Sequence, residues 1–478
     1  MRGADAVSLG RVMRPVLTPE QMGAVDAAAP EPTDLLIGRA GAAVARQAVA
    51  MLGGTYGRRV VVVAGKGNNG NDGREAACRL RRRGVRVLEV DAVGAPERLP
   101  ASDLVIDAAY GTGFRGEYAP PDPAGAPVLA VDIPSGVDGL TGAVARGAVR
   151  ADRTVTFAAL KPGLLFHPGR ALAGPVITAD IGLDVRVVDA AAAVGLVEGA
   201  DVAGWLPPRP ADSHKWRAAV VIAAGSPGMT GAAHLAARAA QRAGAGMVRV
   251  ASPGVEHDAA LPTEAVGIAV PSAGWDARVL AELDRAGALV VGPGLGRGAA
   301  TGAAVHQVVA TAPVPLVIDG DALSALEGRA ADVVGTRGAA TILTPHDGEF
   351  ARLAGHAPSA DRIAAARGLA RDTGAIVLLK GPTTVCAHPD GRVHLSTTGD
   401  ARLATAGTGD VLSGIIGALL AQGVEPLEAA SAGAWLHGRS AEQGPARGLV
   451  ASDVAAGLPA ALAGLDADGD AGRDGGAG

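Results

Sequence analysis

Asp410 directly follows Gly407-Thr408-Gly409 and opens the stretch 411–420, in which Ser413 is the one polar side chain. A glycine turn leading into an apolar helix lets the backbone approach a ligand, and free N–H groups with the helix dipole stabilise developing negative charge there. A carboxylate in the first helical turn can also take a proton from a bound hydroxyl. The plainer reading of Asp410 is a helix-start residue held by the dipole. A second cluster lies far upstream, where Gly65-Lys66-Gly67-Asn68-Asn69-Gly70-Asn71-Asp72-Gly73 follows four valines. Its three asparagines are the only ones in the 478 residues. A strand, a glycine loop and a helix start form an anion cradle, whereas an Asn/Gly turn chosen for its tolerance of positive φ is the bland alternative.

These groups need elements to hold them. Residues 60–63 read as a buried parallel strand and 74–83 as the helix after the loop. Residues 102–116 form a strand with Asp107 near its end, and 126–139 repeat the device with Asp132 and Ser135. Ligands of open α/β sheets gather outside the carboxyl ends of strands, so three strand ends deliver Asn68/Asn69/Asp72, Asp107 and Asp132/Ser135 to one rim. Upstream, Thr18 caps a helix that starts at Pro19, and 32–52 form a second helix whose Gly38 and Gly41 suggest close packing. Residues 1–14 read as a loose arm. After a proline-rich boundary near 194–214, the second half repeats the strand–turn–helix style. A strand ends in Asp319 and Asp321, which read as structural caps; His346 lies between a strand and a helix; Lys380-Gly381 tips another strand. Residues from about 465 read as a disordered polar tail.

Composition narrows the classes. Aromatics are 2% and the net charge is −5, with no basic run beyond 81–83, so neither nucleic acid nor membrane is expected as a partner. No apolar run reads as long enough to span a bilayer. Cys78 and Cys386 are far apart, outside any metal spacing, and read as reduced residues of a cytoplasmic protein. Lysine occurs at four positions only, Lys66, Lys161, Lys215 and Lys380; Lys161 and Lys215 carry no assigned role.

Gly407-Thr408-Gly409-Asp410, completed by Gly414, resembles the anion-hole motif of ribokinase-like small-molecule kinases. With "SPGMTGAAHLAARAAQRAGAG", "VVGPGLG", "TPHDGE" and "LKGPTT", the second half is similar to nicotinamide nucleotide hydrate dehydratases. Through "GKGNNGND", "IDAAYGTGFRG" and "VDIPSGVDG", the first half resembles the hydrate epimerases that accompany them. The resemblance covers roughly residues 14–462. It implies an α/β protein of two domains: a Rossmann-like three-layer sandwich over 1–195 and a ribokinase-like α/β sandwich over 196–478.

The resemblance also implies sites. Asn68, Asn69, Gly70, Asn71, Asp72, and Gly111, Thr112, Gly113, Phe114, Arg115, Gly116 and Glu117 would hold the hydrated nucleotide, with Asp132 as contact and acid/base. Asn69, Asp107 and Ser135 match a potassium site, and oxygen ligation suits such a cation. Gly294, His346 and Asp410 would meet the hydrate in the second half, while Lys380, Gly381, Pro382, Thr383, Thr384 and Gly409 would hold ADP with Mg²⁺. The partners implied are NADHX, NADPHX and ADP, within a homo-oligomer. The chain departs from the pattern at Asn71 and Trp216, where glycine is usual, and is short between Gly116 and Ala126. Competing readings are a nicotinamide-dependent dehydrogenase built on Gly65–Gly70 with Glu89 and Asp91, a kinase of a vitamin precursor, and a first half that only binds.

Overall fold

Five consecutive buried residues in strand β1 (Arg59–Ala64) are what a parallel strand covered on both faces requires. β1 pairs with β2 (Arg86–Asp91) and β3 (Leu104–Ala108), followed by β4 (Val128–Val131), β5 (Arg153–Phe157) and β6 (Val176–Ala179), in the order β2-β1-β3-β4-β5-β6 and all parallel. Val63 lies beside Asp107, and Asp107 beside Ala130, so the exits of β1, β3 and β4 are level. The computed structural model describes residues 13–474 apart from 145 and 190–191, with side chains as far as 465. Most of the expected N-terminal arm therefore lies outside the described residues. The chain divides into two units, Arg14–Val194 and one beginning at Gly195.

In the first unit, α1 (Pro19–Ala27) starts with a reciprocal cap. Thr18 Oγ1 accepts from the Gln21 N–H and Gln21 Oε1 accepts from the Thr18 N–H. Among the described residues, α2 (Thr33–Leu52) is the one helix long and apolar enough to cross a membrane, although Asp34, Arg39, Arg46 and Gln47 interrupt its apolar run. Its face of Ala40, Ala43, Val44 and Ala48 is buried in this unit's core instead. At Gly41 a Cβ would stand 2.5 Å from Glu75 Cγ of the next helix, which is the close packing expected there. That helix, α3, spans Asn68–Arg82, so the asparagines are its first turn and not a loop before it. Gly70 explains the early start: a Cβ there would lie 2.0 Å from the Gly65 carbonyl oxygen, and only glycine lets the helix begin against the strand exit. Asn71 is helical and needs no left-handed backbone.

The second unit is built on β7 (Ala219–Ala223), β8 (Met247–Ala251), β9 (Ala265–Ile268), β10 (Ala288–Val291), β11 (Leu316–Ile318), β12 (Thr341–Leu343), β13 (Ile376–Leu379), β14 (Thr384–Ala387) and β15 (Val393–Ser396), ordered β15-β14-β13-β12-β11-β10-β7-β8-β9. Pairing is parallel from β9 to β13 and antiparallel through β14 and β15. Its helices include α4 (Thr230–Arg242), α5 (Asp347–Ala354), α6 (Arg362–Thr373), α7 (Thr408–Ala421), α8 (Pro426–Glu442) and α9 (Ala451–Asp474). α7 is buried almost all round, as a helix apolar on every face must be, and packs against α4 and α8. α9 continues to Asp474, so the stretch 465–474 is helical where a disordered tail was expected.

Two candidate active sites

A cavity of about 630 Å³ opens at the level strand exits of the first unit. Asn68, Asn69, Asp72, Gly111, Thr112, Gly113, Phe114 and Asp132 line it. Gly70 is used in packing, while Asn71 turns to Arg74, whose Nη1 donates to its Oδ1 at 3.4 Å. Arg115, Gly116 and Glu117 lie outside the cavity wall. A chain poor in aromatics spends three of them here: Tyr110, Phe114 and Tyr118 form a cluster with ring centroids 4.5 to 6.4 Å apart that braces the 111–117 loop.

Asp132 is held in a left-handed backbone conformation, φ 65°, which costs a non-glycine residue about 1–3 kcal/mol. Lys161 compensates. Its ammonium, 2% exposed, lies 2.7 Å from Asp132 Oδ1 and donates to Thr156 Oγ1 at 2.8 Å and to the Phe157 carbonyl at 3.0 Å. Thr156 Oγ1 donates in turn to Asp132 Oδ1 at 3.1 Å. Two more carboxyls share the cavity. Burial, with the negative charges of Asp132 and Asp26, pushes Asp72 up to about 8. Burial also raises Asp26, against the pull of Lys161. The site thus combines a cation-paired carboxylate with a carboxyl that keeps its proton near neutrality, the division of labour an acid/base pair needs.

Asp72 has a stability consequence whose sign is fixed. Its folded pKa of about 8 lies above the ordinary 3.8, so stability present in acid is lost as pH rises from about 4 to about 8. Asp72→Asn, which stays neutral, should gain thermal stability over the parent at pH 8 and little at pH 4. Paired melting curves at the two pH values check it, and an equal gain at both would reject the protonated Asp72.

Asp107 and Ser135 do not line this cavity; Asp107 borders a separate one of about 260 Å³. Asp107 accepts from the Ser135 N–H at 2.8 Å, the Ser135 hydroxyl at 2.7 Å and the Ala109 N–H at 3.3 Å, yet burial still pushes it up to about 6. Both side-chain polar atoms of Asn69 are buried without a partner, a cost of about 1–3 kcal/mol per atom unless something binds them. An orphaned amide oxygen and a carboxylate short of positive charge fit a hard monovalent cation.

In the second unit, Gly407 caps α7 with a left-handed backbone, φ 89°, which a side chain would strain. No side chain caps that turn, and the Thr408 N–H turns back to the Thr405 carbonyl at 3.4 Å. Burial, and then the charges of Asp319 and Asp321 against that of Lys380, brings Asp410 up to about 7. Lys380 Nζ lies 3.0 Å from Asp319 Oδ1 and 3.6 Å from Glu349 Oε2. Burial pulls this ammonium down, but the two carboxylates outweigh it and hold it above its usual value. A Cβ at Gly409 would be 3.6 Å from Lys380 Nζ, so the lysine tip and the glycine turn meet. His346 caps α5: its Nδ1 accepts from the Gly348 N–H at 2.9 Å and the Glu349 N–H at 3.4 Å, and its ring is half exposed, with Nε2 3.5 Å from Glu349 Oε1. Gly294 receives the Ser226 hydroxyl on its carbonyl at 2.9 Å. Gly381 lies against Arg362, Thr383 is buried, Pro382 stands between them, and Thr384 starts β14. A groove of about 510 Å³ near Phe350, His356 and Arg371 contains none of the expected site residues.

The model of NAD(P)H-hydrate dehydratases matches residues 220–458, and that of the YjeF-related protein N-terminus matches 33–102 and 90–163. The bifunctional NAD(P)H-hydrate repair enzyme Nnr of Salinibacter ruber is 38% identical over 95% of this chain and 96% of its own. The chain belongs to the bifunctional NAD(P)H-hydrate repair enzymes. A ribokinase-like superfamily protein of Enterococcus faecalis superposes over 58% of this chain and 98% of its own with TM-score 0.50 at 23% identity, a likeness of fold. The ADP/ATP-dependent NAD(P)H-hydrate dehydratase of Bacillus subtilis, co-crystallised with ATP and Mg²⁺, is 32% identical over 56% of this chain and 97% of its own, with TM-score 0.49.

For a repair enzyme of this family, several side chains at the two sites escape a reading of the sequence. Lys161 is one; its rarity among 43 basic residues is the signal available. Asp26 is another, carried in by α1 with nothing local to mark it. Asp319 reads as a cap, yet it makes no capping bond to the helix Gly320–Ala325. Asp321 does hold a turn, accepting from the Gly296 N–H and from Arg297 Nε, each at 2.9 Å. Trp216 stacks under Arg285, whose guanidinium lies 4.1 Å from the ring centroid.

Proposed function

We propose that this chain repairs hydrated NADH and NADPH in two steps, one in each unit, with the division near residue 195. The first unit interconverts the R and S hydrates. The second dehydrates the S form, consuming ADP and releasing AMP and phosphate. One observation carries the reading: each unit sets a lysine-flanked carboxylate site at its strand exits, and each half matches one half of the family.

In the first unit, the hydroxyl must leave the hydrated ring carbon and return to the other face. Asp72, protonated near neutral pH, supplies the proton that lets it depart. Asp132, oriented by Lys161 and Thr156, takes a proton from water returning on the opposite side. A potassium ion held by Asn69, Asp107 and Ser135 would fix the ends of α3 and β3 around the nucleotide. In the second unit, Asp410 takes the hydroxyl proton while the terminal phosphoryl group of ADP passes to that oxygen and AMP leaves. The C–O bond then breaks with loss of phosphate and of a ring proton, restoring the dihydronicotinamide. Lys380, Gly381, Pro382, Thr383, Thr384 and Gly409 surround the phosphates, and Gly294 and the half-exposed ring of His346 meet the hydrate. Mg²⁺, carried mainly by the phosphates, would screen their charge.

The test is to offer hydrated NADH with ADP, with ATP or with neither, and follow the return of dihydronicotinamide absorbance. Recovery with ADP, abolished by EDTA and restored by Mg²⁺, is expected. No recovery with either nucleotide would reject the dehydratase.

A further inference from the structure

Asp319 is 3% exposed and lies just past β11, and it spends its carboxylate on three other elements. Oδ1 accepts from Lys380 Nζ at 3.0 Å and Thr344 Oγ1 at 2.7 Å. Oδ2 accepts from Ser413 Oγ at 2.7 Å. Thr344 follows β12, Lys380 follows β13, and Ser413 lies on α7 one turn beyond Gly409, to whose carbonyl its hydroxyl also reaches at 3.0 Å. A Cβ at Gly409 would be 3.7 Å from Asp319 Oδ2, so the carboxylate touches the turn that carries Asp410.

We propose that Asp319 is a positioning residue for dehydration, one carboxylate that aims Lys380 at the nucleotide and fixes the start of α7 so that Asp410 faces the substrate. This rests on the roles given above to Lys380 and Asp410. Three donors converge on Asp319 and none is spare, so a neutral amide of the same shape holds them poorly: it offers one acceptor oxygen and turns an NH₂ towards donors. Charge matters as much as shape. Burial would push Asp319 up, but Lys380, Ser413 and Thr344 hold it below the usual carboxylate range. It therefore stands ionised, and its charge is the largest electrostatic cause of the raised Asp410. Facing Asp410 are Asp319, Asp321 and Lys380, with Glu349 on the far side of Lys380 and the neutral His437 of α8 against Thr408.

The experiment compares the full-length parent with Asp319→Asn, Ser413→Ala and Asp410→Ala, measuring kcat, KM for ADP and the pH profile of kcat for dehydration of the S hydrate. Losing a charge-assisted bond should raise KM for ADP about tenfold in Asp319→Asn, with kcat lowered by a similar factor. The acidic limb of kcat should move to lower pH, because Asp410 loses its largest negative neighbour while Lys380 stays beside it. An unchanged KM for ADP with an unmoved limb overturns the proposal, however far kcat falls. If Asp319→Asn does not fold, Ser413→Ala decides: lower kcat with KM for ADP unchanged supports the clamp on α7, and parent kinetics reject it. Dehydration surviving in Asp410→Ala would instead overturn the underlying role of Asp410.

Discussion

Asp410→Ala should lose dehydration by about 10³-fold or more while epimerisation continues at the parent rate. The substitution removes the one carboxylate standing at the uncapped start of α7, and no other side chain in the described turn can take the hydroxyl proton. The parent enzyme carries the matching pH signature. Burial and the neighbouring Asp319 bring Asp410 to about 7, and the base must be ionised, so kcat should fall as pH drops through about 7. Initial rates of absorbance recovery across that range check both points. A flat acidic limb, or an active alanine variant, would move the base elsewhere.

The second large effect is at the buried pair of the other site. Asp132→Asn should lower epimerisation by about 10²- to 10⁴-fold and also weaken the fold. Lys161 would be left as a buried ammonium, and removing one partner of such a pair costs about 3–5 kcal/mol. Lys161→Met should abolish epimerisation to a similar degree, since Asp132 then loses its orientation. The double variant separates chemistry from folding: with both charges gone, stability should return in part while activity stays lost. Equilibrium exchange between the two hydrates, read alongside thermal unfolding, reports the two quantities independently. Undiminished exchange in Asp132→Asn would remove it from the mechanism, and dehydration of supplied S hydrate should be unaffected throughout.

The legible parts of the fold are those written in local sequence. Buried apolar runs before glycine turns mark β1, β3 and β4, and the recurrence of such exits along the chain is enough to put Asp107, Asp132 and the asparagines on one rim. The asparagine stretch misleads because glycines usually signal a loop, and here Gly70 serves a close approach within a helix. The final helix is hidden for a related reason: a Gly- and Asp-rich stretch reads as polar coil, yet it extends a helix already nucleated on the buried residues after Ala451. The two lysine–carboxylate pairs are invisible for another reason. Lys161 and Asp132 lie on different strand exits, as do Lys380 and Asp319, 61 positions apart, and only the folded sheet brings each pair together. Distance along the chain carries no trace of such pairing.

The scarcity of lysine bears on how this sequence can drift. A single base change converts a lysine codon to an arginine codon, and this chain writes nearly all its basic residues as arginine. At the exposed surface the exchange is harmless. At Lys161 and Lys380 it is not, because a guanidinium is wider, planar and presents several donors at once, whereas each of these ammonium groups is fitted point by point to its partners. Lysine-to-arginine exchange is therefore conservative in charge at all four positions but not in function at these two, and Lys161 and Lys380 are where it should cost activity.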